Sequence, residues 1–192
     1  MFVLLAGLTL FFLTHGVRIY ADDWRTATVA RLGPNPWKGL FSLLTLAGLV
    51  LIVVGYGDAR AHPVVLWLPP AWTRHVTALL MLLAFILFAS AEGPPNPIKA
   101  RVGHPMVLGV KTWALAHLLA NGLLAQVLLF GTFLIWAVLA YAAARRRDRR
   151  DGVVRVPGGR RAWILPVVAG AAVWWFFARY AHLWLIGVSP MG

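Results

Sequence analysis

Residues 104–143 read HPMVLGVKTWALAHLLANGLLAQVLLFGTFLIWAVLAYAA, and this stretch decides the class of the chain. From Pro105 onward it is almost continuously apolar for 39 residues. A helix rises about 1.5 Å per residue and needs about 20 apolar residues to cross a hydrocarbon core of about 30 Å. The run is therefore twice one crossing and has to fold back on itself. Ala120-Asn121-Gly122 is the natural breaking point, because Asn and Gly favour the left-handed conformation that ends helices. Two spans follow, 105–122 and 123–143.

Working outward, further runs of crossing length occupy residues 1–20, 39–57, 74–91 and 162–185. The composition agrees: 60% of the 192 residues are hydrophobic and 12% charged, with a mean hydropathy of +0.75. Soluble domains run nearer about 45–50% apolar and about 25% charged. The first span, within MFVLLAGLTLFFLTHGVR, lacks the basic leader and the small-residue cleavage site of a signal peptide, so it is expected to be retained. The expectation is an all-α, polytopic transmembrane helix bundle of about six spans, a single domain over residues 1–192.

Charge orients the spans. Eighteen basic residues stand against six acidic ones. Four basic residues (Arg18, Arg25, Arg31, Lys38) follow the first span, two (Lys99, Arg101) the third, and eight arginines between Arg145 and Arg161 the fifth. That places fourteen of the eighteen on alternate loops, whereas the loop after the second span holds only Arg60 and Arg74. The positive-inside rule then puts both termini on the outer face. The run 145–150 reads as an anchor on anionic lipid. Nucleic-acid binders spread their charge over a solvated surface, so no nucleic-acid partner is expected. Four prolines in EGPPNPIKARVGHP, residues 92–105, predict a rigid connector without regular helix.

The absence of cysteine removes disulfides, thiolate metal sites and cysteine catalysis. No Ser-His-Asp arrangement, phosphate loop or dinucleotide fingerprint is present. What remains is histidine, and an ionisable group inside the bilayer asks for a function or a partner. His62 and His75 flank the outer loop, where water suffices. His182, beside Trp184 late in the last span, suits the headgroup level. His15 shares a helix face with Arg18, three residues on. His117 lies near the middle of its span, with Trp113 and Asn121 four residues away and Ala114 and Ala120 three away. Small neighbours leave room for a flat macrocycle, and tryptophan can wall it. The plainer alternative is that His117 hydrogen-bonds a carbonyl of a neighbouring helix.

Zinc or di-iron would want carboxylates or a third nitrogen nearby. Haem needs only axial histidines, an apolar pocket and cations for its propionates, here Arg18, Arg101 and Lys111. Lys111 would lose hydration unless it faced a propionate, carbonyls or another polar group. His104 has two readings: a gate at the inner mouth, or a helix-start residue before Pro105. Depth strains a His15–His117 pair. Counted from the inner ends of their spans, His15 is about 7 Å deep and His117 about 20 Å. The mismatch closes if the first span runs on through YADDW and the fourth starts late; otherwise His104 is the better-placed partner.

The chain resembles the NnrU family and, through it, the plant 15-cis-zeta-carotene isomerase. The resemblance runs from THGVR at 14–18 through KGLFSLLTLAGLVLIVVGYG, LPPAWTRH and IKARVGHPMVLGVKTWALAHLLANG to HLWLIGVSP at 182–190. It departs from the pattern at Gly103 and Leu123. The resemblance implies a multi-pass protein of a bacterial-type inner (plasma) membrane. From the isomerase branch it implies haem b held by His15 and His117; Arg18, Arg101, Lys111, Trp113 and Asn121 are the residues then expected around the cofactor. Redox-dependent cis–trans isomerisation of a hydrophobic polyene, or a part in nitric-oxide and denitrification metabolism, would then be the activity. Two alternatives stand beside it. One is a haem-based sensor or electron carrier without turnover. The other is an S-adenosylmethionine-dependent membrane methyltransferase, since RVGHPMVLG also resembles a motif of those enzymes.

Overall fold

The computed structural model describes residues 1–190; Met191 and Gly192, the last two of the expected domain, lie outside the described residues. Nine α-helices are formed among the described residues, with no strand beyond one isolated bridge. They are α1 (Phe2–Tyr20), α2 (Asp22–Leu32), α3 (Pro34–Ala61), α4 (Thr73–Glu92), α5 (Pro97–Val102), α6 (Pro105–Ala120), α7 (Leu124–Arg150), α8 (Ile164–Phe176) and α9 (His182–Ile186). A π-helical turn, Phe177–Ala181, joins α8 to α9. Five helical segments are long and apolar enough to cross a membrane: α1, α3, α4, α7 and the composite Ile164–Ile186. The remaining expected span, α6, has 16 residues, about 24 Å by its rise.

The chain forms two compact units. The first comprises Met1–Trp67 and Gly122–Ala140, the second Leu68–Asn121 and residues 141–190. In the first, α1 lies along α3, and glycines set how closely. A Cβ on Gly7 would stand 2.6 Å from the backbone N of Ile52, and one on Gly48 3.0 Å from that of Phe11. Without hydrophobic drive between helices in lipid, such small residues let backbones approach and gain dispersion contact. Leu4, Leu8, Ile52, Ala59 and Ala125 form the buried core.

Three connectors differ from what the sequence predicts. The segment ADDWRTATVARL carries an 11-residue helix, α2, rather than loop. Its apolar residues are scattered around the helix rather than gathered on one face, but Asp22 and Asp23 in its first turn complement the helix dipole. Trp24 meets Trp37 at 6.0 Å and Arg25 lies over the same ring, holding α2 to α3. The break at Asn121 is made in extended conformation (φ −131°, ψ 127°), not a left-handed turn. The chain there pairs with the loop that follows α3: Leu66 N–H donates to Gly122 O at 2.8 Å and Leu124 N–H to Val64 O at 2.9 Å.

In the second unit α4 packs against both α6 and α8. The Phe88 ring fills the space above Gly109, and Gly170 lies against the Ile86 backbone. Thr77 Oγ1 donates across helices to Ala116 O at 2.9 Å. The proline-rich connector does hold a short helix, α5, because Pro97 occupies its first turn, where no N–H is needed. Buried Asn96 caps it, accepting from Lys99 N–H at 2.8 Å and from Ser90 Oγ at 2.9 Å. The helix bounds also bear on ligand depth: α1 stops at Tyr20 and α6 starts at Pro105, so neither helix makes the extension or late start considered above.

Candidate functional site

His15 lies five residues before the end of α1, in the first unit. Its Nδ1 is 2.8 Å from the Phe11 carbonyl oxygen. A carbonyl only accepts, so Nδ1 carries the hydrogen and the lone pair of the neutral ring is placed on Nε2. The imidazole stacks on Phe11 at 4.1 Å and meets Phe41 at 5.1 Å and Trp136 at 5.8 Å, both edge-on. Phe12 and Phe133 complete the aromatic surround. Arg18 leaves this nest for Asp22, 3.7 Å away, and stays largely exposed.

His117 belongs to the second unit and repeats the arrangement. Its Nδ1 is 2.9 Å from the Trp113 carbonyl oxygen, which again fixes the Nε2 lone pair. The Trp113 ring lies 5.2 Å from the imidazole, and Asn121 Nδ2 donates to the His117 carbonyl at 2.7 Å. Ala114 and Ala116 are fully buried. Of the expected cations in this unit, Lys111 is half-buried with no hydrogen bond or ion pair among the described residues. Arg101 is exposed in the last turn of α5. The bond to Trp113 lies within one helix, so the interhelical carbonyl considered for His117 is not its Nδ1 partner.

His104 starts α6 just before Pro105, and its ring is engaged. Nε2 donates to Asp148 Oδ2 at 2.9 Å. Arg155 Nη2 donates to Asp148 Oδ1 at 2.9 Å and Arg145 Nη1 to Oδ2 at 3.3 Å. Tyr141 Oη donates to Val102 O at 2.7 Å beside them. The apolar part of α7 ends before Arg145, so this cluster lies beyond the segment that crosses. The Arg155 hydrogen bond, aided by His104, holds the Asp148 carboxyl below the usual carboxylate range. Asp148 and Arg155 were not singled out from sequence; the signal was one carboxylate inside an arginine run. His182 bonds its own chain, Nδ1 to Val188 O at 2.7 Å.

Among the described residues no group of three or more His, Asp or Glu side chains could hold a metal ion by protein ligands alone. The donor chemistry of His15 and His117 fits haem: metal-ligating histidines characteristically donate the second ring N–H to a carbonyl, which orients the ring and fixes the tautomer. No curated protein and no solved structure matches the chain. A family model described as NnrU protein matches residues 3–190, nearly the whole length. The chain therefore belongs to the NnrU family.

Proposed function

We propose that this is an integral membrane haem b protein in which His15 and His117, each through Nε2, would hold the haem. The observation that carries the reading is the shared tautomer: both rings give Nδ1–H to the carbonyl four residues back, directing the lone pair to Nε2. His104 has its Nε2 engaged by Asp148. Aromatic and small apolar side chains around each imidazole provide the low-dielectric walls that a b-type haem needs. Half-buried Lys111 supplies a cation for a propionate, and Trp113 and Asn121 order the His117 turn. When bound, haem supplies an iron whose redox state the protein tunes through axial ligands and burial. The residues orient the ring nitrogens and exclude water; a hydrophobic polyene or nitric oxide is the substrate class in keeping with those walls.

The topology that goes with it has six crossings and both termini outside. Without a crossing by α6, the eight arginines from Arg145 to Arg161 would stand on the opposite side from Lys99 and Arg101, against the positive-inside rule. The test of the haem reading is an absorption spectrum of the protein purified from haem-replete cells, oxidised and reduced. A colourless protein refutes it.

A further inference from the structure

The loop that joins α7 to α8 carries Val153, Val154 and Val156 at 47%, 91% and 71% exposure, whereas the side chain of Arg155 between them is 21% exposed. Arg155 turns inward to Asp148, 2.9 Å away, and leaves Val154 and Val156 on the outside. Single exposed apolar residues are common on any protein. Three within four residues of one loop call for something to contact.

The level of the loop follows from what pins it. Val153 N–H donates to Asp148 O at 2.9 Å. Gly158 has φ +74°, and a Cβ there would strike the Pro95 carbonyl, so the loop lies flush on the connector after α4. Pro95 stands three residues beyond Glu92, where α4 ends, and the last segment of crossing length starts at Ile164. The loop is thus held where these two helices leave the hydrocarbon. α7 itself runs on past Ala144 to Arg150, about 9 Å by its rise, comparable with one headgroup layer.

Charge names the partner. Arg146 and Arg149 before the valines and Arg160 and Arg161 after them are exposed, and residues 145–161 hold eight arginines against two aspartates. Apolar side chains flanked by cations, at the depth of the headgroups, suit an anionic lipid surface. We propose that the loop 152–161 is a membrane contact in its own right: Val154 and Val156 enter the headgroup–acyl boundary of the adjacent leaflet, and Arg146, Arg149, Arg160 and Arg161 hold anionic headgroups around them. This goes beyond an electrostatic anchor by the run 145–150, in which arginines alone would stay at the phosphates.

The chain has no cysteine, so bimane attached to Val154→Cys reports on that place alone. The full chain is placed in nanodiscs of phosphatidylcholine and phosphatidylglycerol containing a lipid with a nitroxide high on its acyl chain. Side chains in such contacts reach about 5–10 Å into the boundary, so the nitroxide should quench the Val154→Cys label at least about twofold. The label on Asp151→Cys, beside the loop at the exposed end of α7, should be quenched less and be more open to iodide in the water. In phosphatidylcholine alone, or with the four arginines changed to Gln, quenching at Val154→Cys should weaken. Equal quenching at both positions, or the same quenching without anionic lipid, overturns the proposal. A label shielded from iodide yet untouched by the nitroxide would mean that protein, a second copy or another partner, covers the loop, and overturns it too. Should Val154→Cys fail to fold, Val156→Cys on the same side gives the same reading. The readout needs neither haem nor a crossing by α6, so its failure and that of the haem reading are separate.

Discussion

Replacing Asp148 with Asn removes the charge on which two guanidinium groups and one imidazole converge while keeping the shape of the side chain. Its side chain is only 11% exposed; those of Arg155, His104 and Arg145 are 21%, 28% and 36% exposed. Charge-assisted hydrogen bonds to a buried group contribute about 1.5–3 kcal/mol each, but partners this exposed rehydrate when released. Taking about 1 kcal/mol for each of the two 2.9 Å bonds and less for the 3.3 Å one gives a loss of about 2–3 kcal/mol. At about 2–4 °C per kcal/mol for a chain of this size, Tm in detergent should fall by about 4–12 °C. The pH dependence has a definite sign. A carboxyl held below its ordinary value of 3.8 contributes stability above that value and loses it as pH falls through the lowered one. The advantage of wild type over Asp148→Asn should therefore persist at pH 5 and shrink only below about pH 4. Asp151→Asn is the control: Asp151 pairs with Arg150 at the exposed end of the run and should leave Tm unchanged. An Asp148→Asn protein that melts with the wild type, or an advantage already gone between pH 7 and pH 5, would refute the cluster as a clamp.

Reporter fusions after Arg150 and after Pro190 should fall on opposite sides of the membrane, with the arginine end inside; Arg150 on the outer side would mean that α6 does not cross. Gly55→Ala should lower Tm, since its Cβ would meet the Leu4 backbone and overpacking costs about 1–3 kcal/mol, whereas Gly57→Ala, with open space around it, should not. Among haem ligand variants, His15→Ala and His117→Ala should each lose the six-coordinate spectrum, whereas His182→Ala should keep it. Lys111→Met should lower the haem content of the purified protein, and an unchanged haem-to-protein ratio would assign that lysine a structural role only.

Crossing segments were legible because lipid leaves the backbone one economical solution, and long apolar runs announce it. The 39-residue run at 105–143 is interrupted at Asn121-Gly122, although the break uses an extended pairing with Val64–Leu66 that no local signal in that run encodes. What escaped was polar: α2 has no apolar face to give a period, and α5 hides behind prolines that serve as its start. The same divide runs through the candidate site. Helical spacing gave Arg18 beside His15, yet that arginine turns to Asp22, because exposed at the helix end it finds a carboxylate one turn on. Spacing also places Phe11 and Trp113 four residues before the two histidines, and it is their carbonyls, not their rings alone, that fix the imidazole tautomers. Phe41 and Trp136 reach His15 from α3 and α7 and could be found only once those helices were packed. A helix writes its own i−4 bonds into the sequence, whereas the company it keeps is set by long-range packing. The chemistry of His15 depends on both, since the first sets which nitrogen offers a lone pair and the second sets what approaches it.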